Sequence, residues 1–485
     1  MTQPLEFGSQ KQLFIDDLVI DETVGVTRSL NQPEKYVGNP VMIPLYPWEG
    51  RLELFGTVWR DPDGGFRMWY QGMGGMGVAR MGLDLTGTHL EDLDFDMRNL
   101  QYSICYATSH DGIHWERPNL GLVEFDGATD NNVVIANAAF ANVIEDTRDP
   151  DPDRRYKSLF FEDQDCAALG SLHIDQGVSV AFSPDGLRWT KHPGNPVITR
   201  SSDSHTLFGW DDLHGCYVAY ARPTMREGNM TRRIGRCVSD DFVNWSDPED
   251  VLAPDEHDPP AVEFYGMPVF RYSGYYLGLL YVFHTRPEEP IQRNFRNFGA
   301  IDVQLASSRD GVSWERAGDR QPFIPNGPPG SIDAGEIFVA RAPVAVDDEL
   351  WFYYSPSATE HGVTGRSGPI CLAKLRMDGF VSVDAGDDTG DDTGTLVTKA
   401  FRCAGGPLTI NAAARGGLVG VAVLDESGTQ HRGYSRHECA LFDGDSISHR
   451  VTWHDKRSLD ELKGRNIRLK FYLMNAKLYA FTVGR

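Results

Sequence analysis

The sequence has few cysteines, no long hydrophobic run and no excess of positive charge. Its seven cysteines are scattered through 485 residues without a Cys-x-x-Cys pair, which excludes a zinc ribbon and indicates no disulfide framework. No run of about 18 apolar residues occurs, so no transmembrane helix is predicted. The N-terminus MTQPLEFGSQ lacks the basic and apolar regions of a signal peptide. We therefore expect a cytoplasmic protein without a membrane partner.

The acidic balance of the chain excludes a further class of partner. Lys and Arg number 46 against 69 Asp and Glu, a formal charge of −23. A nucleic-acid groove would have to act against this field, so no nucleic acid is predicted as a partner. The sequence has no His-Glu-x-x-His motif and no phosphate-binding loop, so neither a metal nor a cofactor is predicted. Homo-oligomerisation is left open.

What the sequence does contain is an internal repeat. An alternating apolar strand followed by Ser-x-Asp-(Gly/Phe)-x-x-Trp recurs at Asp111, Asp185, Asp241 and Asp310, with a weaker copy around Asp378 that has no Trp. Each copy predicts a β-hairpin, because Asp-Gly readily adopts the positive φ of a tight turn. Two apolar strands precede each hairpin, so each repeat has four strands.

Five consecutive four-stranded units predict an all-β chain built on a five-bladed β-propeller. This domain is predicted to span residues 1–384, including an N-terminal strand segment 1–35. Within that segment, residues 11–30 read as a strand pair that either closes the ring or joins the last domain. An acidic, glycine-rich linker follows, and residues 396–485 have the short alternating strands of a small C-terminal β-sandwich domain.

Residues at the start of the innermost strands of a propeller lie near a common axis. Carboxylates gathered there shift one another's pKa, so that one can act as acid and another as base or nucleophile. Long loops between the second and third strands, such as residues 71–100, should share this face. The predicted catalytic residues are Glu49, Asp146, Asp203, Glu263 and Asp333. The predicted substrate-binding residues are Trp48, His205, Arg222, Tyr265, Glu336 and His361.

Each of these residues also has a structural interpretation. Acidic residues beside Ser or Gly, such as Asp203 and Asp333, often cap turns. Asp146 competes with Glu145 and Asp149 for the inward position, because a strand alternates its faces. The repeated hairpin aspartates are interpreted as structural turn residues on the outer rim.

Several segments resemble a known group of enzymes. The five-unit pattern with carboxylates at strand entrances resembles the five-bladed propeller glycosidases of glycoside hydrolase families 32 and 43. Stretches such as QLFIDDLVI, NQPEKYVGNPV and IDVQLASSRDGVSWER are similar to bacterial proteins with a family-32-like N-terminal domain. The resemblance implies a nucleophile or base, a transition-state stabiliser and a general acid, which by position become Glu49, Asp146 and Asp203. The family motif Trp-Met-Asn-Asp-Pro-Asn-Gly is absent. Glu49 and Asp203 also stand where the family usually has Asp and Glu, which changes the spacing of the carboxylates, so retaining and inverting chemistry both stay open.

These observations predict a glycoside hydrolase that cleaves a small furanosidic, fructoside- or arabinoside-like oligosaccharide. Two alternatives stay open. A glycoside phosphorylase or transglycosylase on the same fold would need a cationic pocket, for which the sequence offers Arg222, Arg226, Arg232, Arg233 and Arg236. A non-catalytic carbohydrate-binding propeller would bind a sugar without turnover.

Overall fold

The computed structural model describes residues 3–74, 101–162, 177–224, 231–285, 298–362, 368–386 and 393–484. Most of the long loops predicted for the binding face, together with Arg226, lie outside the described residues. Within these ranges the chain is built from β-strands, and the all-β fold predicted from the sequence is confirmed. The helical turns are short 3-10 segments: Pro47–Glu49, Pro152–Arg154, Gly318–Arg320 and Asp460–Leu462. In the same ranges no helix is long and apolar enough to cross a membrane.

Among the described residues, the strands follow one another in chain order as an N-terminal group, three separate antiparallel sheets (units one to three), one 11-stranded sheet whose strands we divide into units four and five, and a C-terminal group. The N-terminal strands are β1 (Gln12–Leu13), β2 (Ile20–Val24), β3 (Thr27–Leu30) and β4 (Glu34–Lys35). Unit one contains β5 (Arg51–Arg60), β6 (Phe66–Gly74), β7 (Gln101–Ser109), β8 (Trp115–Glu116) and β9 (Val133–Ala136). Unit two contains β10 (Ala138–Glu145), β11 (Tyr156–Glu162), β12 (Val178–Ser183) and β13 (Thr190–Lys191). Unit three contains β14 (Ser201–Asp211), β15 (Cys216–Pro223), β16 (Ile234–Ser239) and β17 (Glu249–Leu252).

The last two units carry additional short strands. Unit four contains β18 (Val262–Gly266), β19 (Val269–Tyr272), β20 (Tyr275–Thr285), β21 (Gly299–Ser308), β22 (Glu315–Arg316) and β23 (Pro322–Ile324). Unit five contains β24 (Glu336–Val339), β25 (Val344–Val346), β26 (Glu349–Ser357) and β27 (Cys371–Arg376). The outermost strand of unit five is β4 from the N-terminal segment, which pairs Lys35 with Ala373.

Hydrogen bonds near the inner edges of the units join each unit to the next and unit five back to unit one, and those of Tyr281 and Ser355 involve the second strand of a unit. Each bond pairs the side-chain oxygen of an asparagine, threonine, serine or tyrosine with a backbone group of the neighbouring unit. A buried backbone group needs such a hydrogen-bond partner. The bonds are Thr57 Oγ1 to Val143 O at 3.1 Å, Leu207 N to Asn142 Oδ1 at 2.7 Å, Thr206 Oγ1 to Met267 O at 2.7 Å, Tyr281 OH to Val339 O at 2.9 Å and Leu54 N to Ser355 Oγ at 2.9 Å.

Aromatic side chains fill the middle of this ring. Phe55 packs against Phe140 and Phe338 with ring centroids 4.5 Å apart in both pairs. Tyr265 and Tyr281 also contact Phe338. These residues come from units one, two, four and five, so aromatic rings from four units pack against one another.

The repeated hairpins have the local structure that their sequence predicts. In the first copy, Asp111 Oδ1 accepts the backbone N–H groups of Ile113 and His114 at 2.8 Å, and Gly112 has a φ of +74°. The indole N–H of Trp115 donates to the carbonyl of Gly112 at 3.2 Å. The copies at Asp185, Asp241 and Asp310 make the same carboxylate contacts, so these aspartates are turn residues.

The C-terminal strands form two sheets around a common core. They are β28 (Val381–Ala385), β29 (Gly394–Thr398), β30 (Phe401–Arg402), β31 (Leu408–Ala413), β32 (Leu418–Asp425), β33 (Asp445–Val451), β34 (Asn466–Met474) and β35 (Ala476–Val483). One sheet has the order β3-β28-β35-β31-β33 with β1 beside β35, and the other has β2-β29-β34-β30 with β32 beside β34. Buried side chains from both, such as Val383, Leu396, Phe471 and Phe481, share one cluster.

One strand assignment made from the sequence is wrong. The segment after Asp378 was predicted to complete the hairpin of unit five, but Val381–Ala385 pairs with β3 and β35 in the two-sheet unit. The outer place in unit five is already taken by β4, and Asp378 is held by Lys11 and Tyr272 instead of by its own hairpin amides. The missing Trp in this copy was the signal that the repeat ends here.

Candidate functional site

A chain of polar contacts links units one and five at the entrance of their innermost strands. The guanidinium of Arg51 pairs with Glu53 on the same strand, and its Nη2 lies 2.8 Å from Oε1 of Glu336. The other oxygen of Glu336 lies 2.9 Å from Nδ1 of His361. Gln71 donates its amide N–H to Glu53 at 2.7 Å. Glu336 is fully buried, and it is paired inside the protein with the guanidinium of Arg51 and a ring nitrogen of His361.

Tyr265 connects this chain to units three and four. Its ring meets the imidazole of His361 edge-on, with centroids 5.0 Å apart at 71°. The guanidinium carbons of Arg222 and Arg232 lie 4.8 and 5.3 Å from the centre of the same tyrosine ring. Two arginines from unit three therefore share one aromatic ring from unit four, a geometry that cation–π attraction favours.

Two further carboxylates accompany these arginines. Arg222 forms a close ion pair with Asp203 and also donates from Nε to Ser202 at 2.6 Å. Arg232 Nη1 lies 3.4 Å from Oε2 of Glu263. The side chain of Asp203 is 26% exposed, whereas that of Glu263 is 8% exposed. Asp203 is thus the more accessible of the two acids. We call the following set the central cluster: Arg51, Glu53, Asp203, Arg222, Arg232, Glu263, Tyr265, Glu336 and His361.

The charges within the central cluster shift several pKa values. Burial alone would raise the pKa of Asp203, but the positive charges of Arg222 and Arg232, with His361, bring it below the ordinary value. Burial and the neighbouring Arg222 lower the pKa of Arg232. Burial and the charge of Asp203 raise the pKa of Tyr265. Asp203 is therefore ionised at neutral pH, and two arginines stand close enough to repel each other.

His205 lies beside the central cluster but is enclosed in the strand. It is 1% exposed, and Nδ1 lies 2.9 Å from the carbonyl oxygen of Asp203. Burial lowers its pKa to about 4, so the imidazole is neutral at pH 7. Its observed contact supports the backbone of Asp203, and the structure gives it no exposed surface with which to bind a sugar.

Asp146 lies at the opposite end of its strand from the central cluster. The residue follows β10, whose entrance is at Ala138, so the predicted inward position at the strand entrance is not what the structure has. Its carboxylate accepts the hydroxyl of Tyr217, the backbone N–H of Arg148 at 3.1 Å and an ion pair from Lys157 at 3.2 Å. Asp146 comes directly after the last residue of β10, so it stands at the exit of this strand and not at its entrance.

Glu49 and Trp48 lie on unit one, outside the central cluster. Glu49 is fully buried and accepts the hydroxyl of Tyr70, the Nε–H of Arg117 at 2.8 Å and the backbone N–H of Leu45 at 3.0 Å. Trp48 stacks on Tyr46 at 4.7 Å and donates its indole N–H to Asn132 at 2.8 Å. Both residues therefore fix the segment before β5.

Asp333 is not part of the central cluster either. Its carboxylate lies 2.6 Å from Lys35 Nζ and accepts the hydroxyl of Ser331 at 2.8 Å. Lys35 belongs to β4, so this ion pair ties the ring-closing strand to the loop before β24. Of the predicted residues, the structure brings together Asp203, Glu263, Arg222, Tyr265, Glu336 and His361.

Sequence reasoning missed Glu53, Arg51 and Gln71. Glu53 is the carboxylate that unit one contributes, four positions after the predicted Glu49. A signal was present, because Glu53 is the one charged residue between the buried Leu52, Leu54 and Phe55. A charged residue within an apolar innermost strand must be paired or functional. Among the described residues, no group of three or more His, Cys, Asp or Glu side chains is placed to hold a metal ion.

Comparison with known proteins gives fold-level likenesses only. No family model and no curated protein matches the chain. Among solved structures, a member of the GH130 family of mannoside phosphorylases, which includes hydrolases of β-1,2-mannosidic linkages in Candida mannan, is 15% identical over 72% of this chain and 94% of that chain, with a TM-score of 0.47. A glycosyl hydrolase from Bacteroides ovatus is 14% identical over 72% and 94%, with a TM-score of 0.46.

A third likeness is to β-1,2-mannobiose phosphorylase from Listeria innocua, 14% identical over 71% of this chain and 96% of that chain, with a TM-score of 0.46. These neighbours are carbohydrate-active enzymes. Likenesses at this level do not identify the family of this chain. The resemblance to glycoside hydrolase families 32 and 43 is not confirmed by them and stays a prediction.

Proposed function

We propose that this chain is a glycoside hydrolase whose reaction takes place at the central cluster. The observation that carries the proposal is the convergence of Asp203 and Glu263, from adjacent units, on Arg222, Arg232 and Tyr265. Cleavage of a glycosidic bond needs two carboxyl groups, one that gives a proton to the leaving oxygen and one that acts as an ionised base or nucleophile.

The environments of the two acids suggest their roles. Asp203 has a lowered pKa, which suits an ionised base or nucleophile. Glu263 is the second carboxylate of the pair and is more deeply buried than Asp203, which leaves it the other of the two roles. Arg232 beside it holds its own proton less firmly than an ordinary arginine, because burial and Arg222 lower its pKa. We therefore assign Glu263 as the proton donor, with Arg222 and His361 binding sugar hydroxyls.

The substrate is a small oligosaccharide or glycoside. The furanoside specificity implied by the sequence resemblance stays a prediction. The test is a screen of purified protein against matched furanoside and pyranoside glycosides, with release of reducing sugar as the measurement. Turnover that is lost in both Asp203→Asn and Glu263→Gln supports the proposal. Turnover that persists in both variants, or sugar binding without any turnover, contradicts it and favours the non-catalytic alternative.

A glycoside phosphorylase is the second candidate, and one observation favours it. Arg222 and Arg232 lie over the same tyrosine ring, so two positive charges stand where a phosphate dianion could bind. Arg233 and Arg236 do not add to this pair, because Arg233 pairs with Asp250 at 2.6 Å and Arg236 lies 4.0 Å from Asp211. Turnover that requires inorganic phosphate and forms a sugar 1-phosphate would identify the phosphorylase, whereas phosphate-independent turnover would identify the hydrolase.

A further inference from the structure

Glu336 is the most deeply buried carboxylate of the central cluster and has two positively chargeable neighbours. Oε1 accepts a hydrogen bond from Arg51 at 2.8 Å, and Oε2 lies 2.9 Å from Nδ1 of His361. Its exposed fraction is zero, so it cannot reach a substrate that enters from solvent. A role for Glu336 must therefore act through one of its neighbours.

Two aromatic rings restrain the imidazole of His361, and two hydrogen bonds restrain its backbone. Tyr265 and Phe283 contact it edge-on with centroids 5.0 and 5.2 Å away. Its backbone N–H donates to the carbonyl oxygen of Gly299 at 2.9 Å, and the backbone N–H of Gly299 donates back at 3.4 Å. Since Nδ1 faces Glu336, any contact of this imidazole with a substrate is made by Nε2.

Resting on the proposed function, we infer that Glu336 is a positioning residue that keeps a proton on Nδ1 of His361 and so fixes the orientation of this proposed sugar-binding ring. A buried carboxylate can only accept, and it therefore requires a donor at Nδ1. Arg51 supplies the positive charge that pairs with Glu336. In its protonated form His361 also contributes to the low pKa of Asp203, so the position of this ring affects the proposed base as well.

Glu336→Gln tests this inference because Arg51 fixes the orientation of the glutamine amide. The amide oxygen must face Arg51, which can only donate, and the amide N–H then faces Nδ1 of His361. Nδ1 of the imidazole must then accept this hydrogen bond, so the proton of the neutral ring moves to Nε2. Neutral glutamine also removes the charge that favours imidazolium, so the pKa of His361 should fall by about one unit or more.

The measurement is the ¹⁵N spectrum of protein labelled at histidine, with the His361 signals assigned by their loss in His361→Gln. The matched control is Asp211→Asn, because Asp211 Oδ2 lies 2.8 Å from Nδ1 of His214 at the other end of unit three. We expect the His361 tautomer to switch in Glu336→Gln and to stay unchanged in Asp211→Asn.

An unchanged His361 tautomer and pKa in Glu336→Gln would overturn the inference, and so would the same change in both variants. If Glu336→Gln unfolds, Glu336→Asp provides the second variant. It keeps the charge but shortens the side chain, and we expect it to keep the proton on Nδ1. Loss of the Nδ1 tautomer in Glu336→Asp would overturn the inference. The spectra do not depend on turnover, so absence of any glycosidase activity would refute the proposed function alone.

Discussion

Buried carboxylates occur at both ends of the innermost strands, and their partners differ. At the far end, Asp146 accepts the hydroxyl of Tyr217, and Asp211 accepts that of Tyr276 at 2.7 Å from each oxygen. Both also accept backbone N–H groups, from Arg148 and Leu213. In the central cluster, Asp203 pairs with Arg222 and Glu263 with Arg232, and both arginines pack on the ring of Tyr265. The far-end carboxylates have charged neighbours too, but they also accept tyrosine hydroxyls from the next unit, so we expect them to hold units together and the central pair to take part in the reaction.

The largest expected difference between the two ends is in turnover. Asp203→Asn should lower kcat/KM by about 10²–10⁴-fold, because the amide cannot act as base or nucleophile. Measurement well below the melting temperature separates this loss from any loss of stability. Asp146→Asn serves as the far-end control, and we expect its kcat/KM to stay within about threefold of the wild type. Equal losses of kcat/KM in both variants would contradict the assignment of Asp203 to the reaction and Asp146 to the scaffold.

The next largest effect is a dependence of stability on pH near the central cluster. Burial lowers the pKa of His205 from 6.5 to about 4. Between these values the unfolded chain binds a proton that the folded chain does not, so acidification through this window should reduce the free energy of unfolding by about 3 kcal/mol. His205→Gln should flatten this slope, and His257→Gln, at an exposed position, should leave it unchanged. Urea unfolding at pH 7 and pH 4.5 measures both, and identical slopes in all three proteins would contradict the burial argument.

A third, smaller effect concerns the stability of the far end. Asp146→Asn weakens the ion pair with Lys157 and leaves that buried ammonium without its full counter-charge. We expect a loss of about 1–3 kcal/mol in the free energy of unfolding, measured by urea titration. An unchanged midpoint would show that the carboxylate is not needed to hold units two and three together.

The smallest effects should come from tyrosine hydroxyls at the two ends. Tyr217→Phe removes one hydrogen bond to Asp146 and should cost about 1 kcal/mol of stability, with turnover unchanged. Tyr265→Phe keeps the ring over which Arg222 and Arg232 lie, so we expect stability near that of the wild type and a measurable loss of turnover. Thermal melts and initial rates on both variants measure these effects. A loss of turnover in Tyr217→Phe, or a loss of stability alone in Tyr265→Phe, would contradict the prediction.

The sequence predicted the strand order better than the direction in which each acid points. The repeated Ser-x-Asp hairpins locate the outer strands of units one to four, because turn chemistry is local. The entrance of an innermost strand has no such local marker. Alignment of the repeats would have helped, since Asp61, Asp146 and Asp211 all stand at the exit of an innermost strand. That shared position identifies Asp146 as part of the scaffold.

The pairing of Arg51 with Glu336 has no local signal in the sequence, unlike the hairpins, because the two residues belong to distant segments. Arg51 meets Glu336 across 285 positions of the chain. Only closure of unit five against unit one brings these side chains together. Asp203 and Glu263 were found from the sequence because they lie within the first three residues of β14 and β18, whereas the roles of Arg222 and Arg232 depend on the shared ring of Tyr265.

The N-terminal strands have a consequence for synthesis on the ribosome. Gln12 pairs with Phe481, and β4 completes unit five only after β27 has been made. These strands therefore wait, without their final partners, until β27 and β35 have been translated. Such long-range pairing slows folding and exposes unpaired strand edges in the meantime. Nascent chains of this protein should thus depend on protection by chaperones until the C-terminal residues arrive.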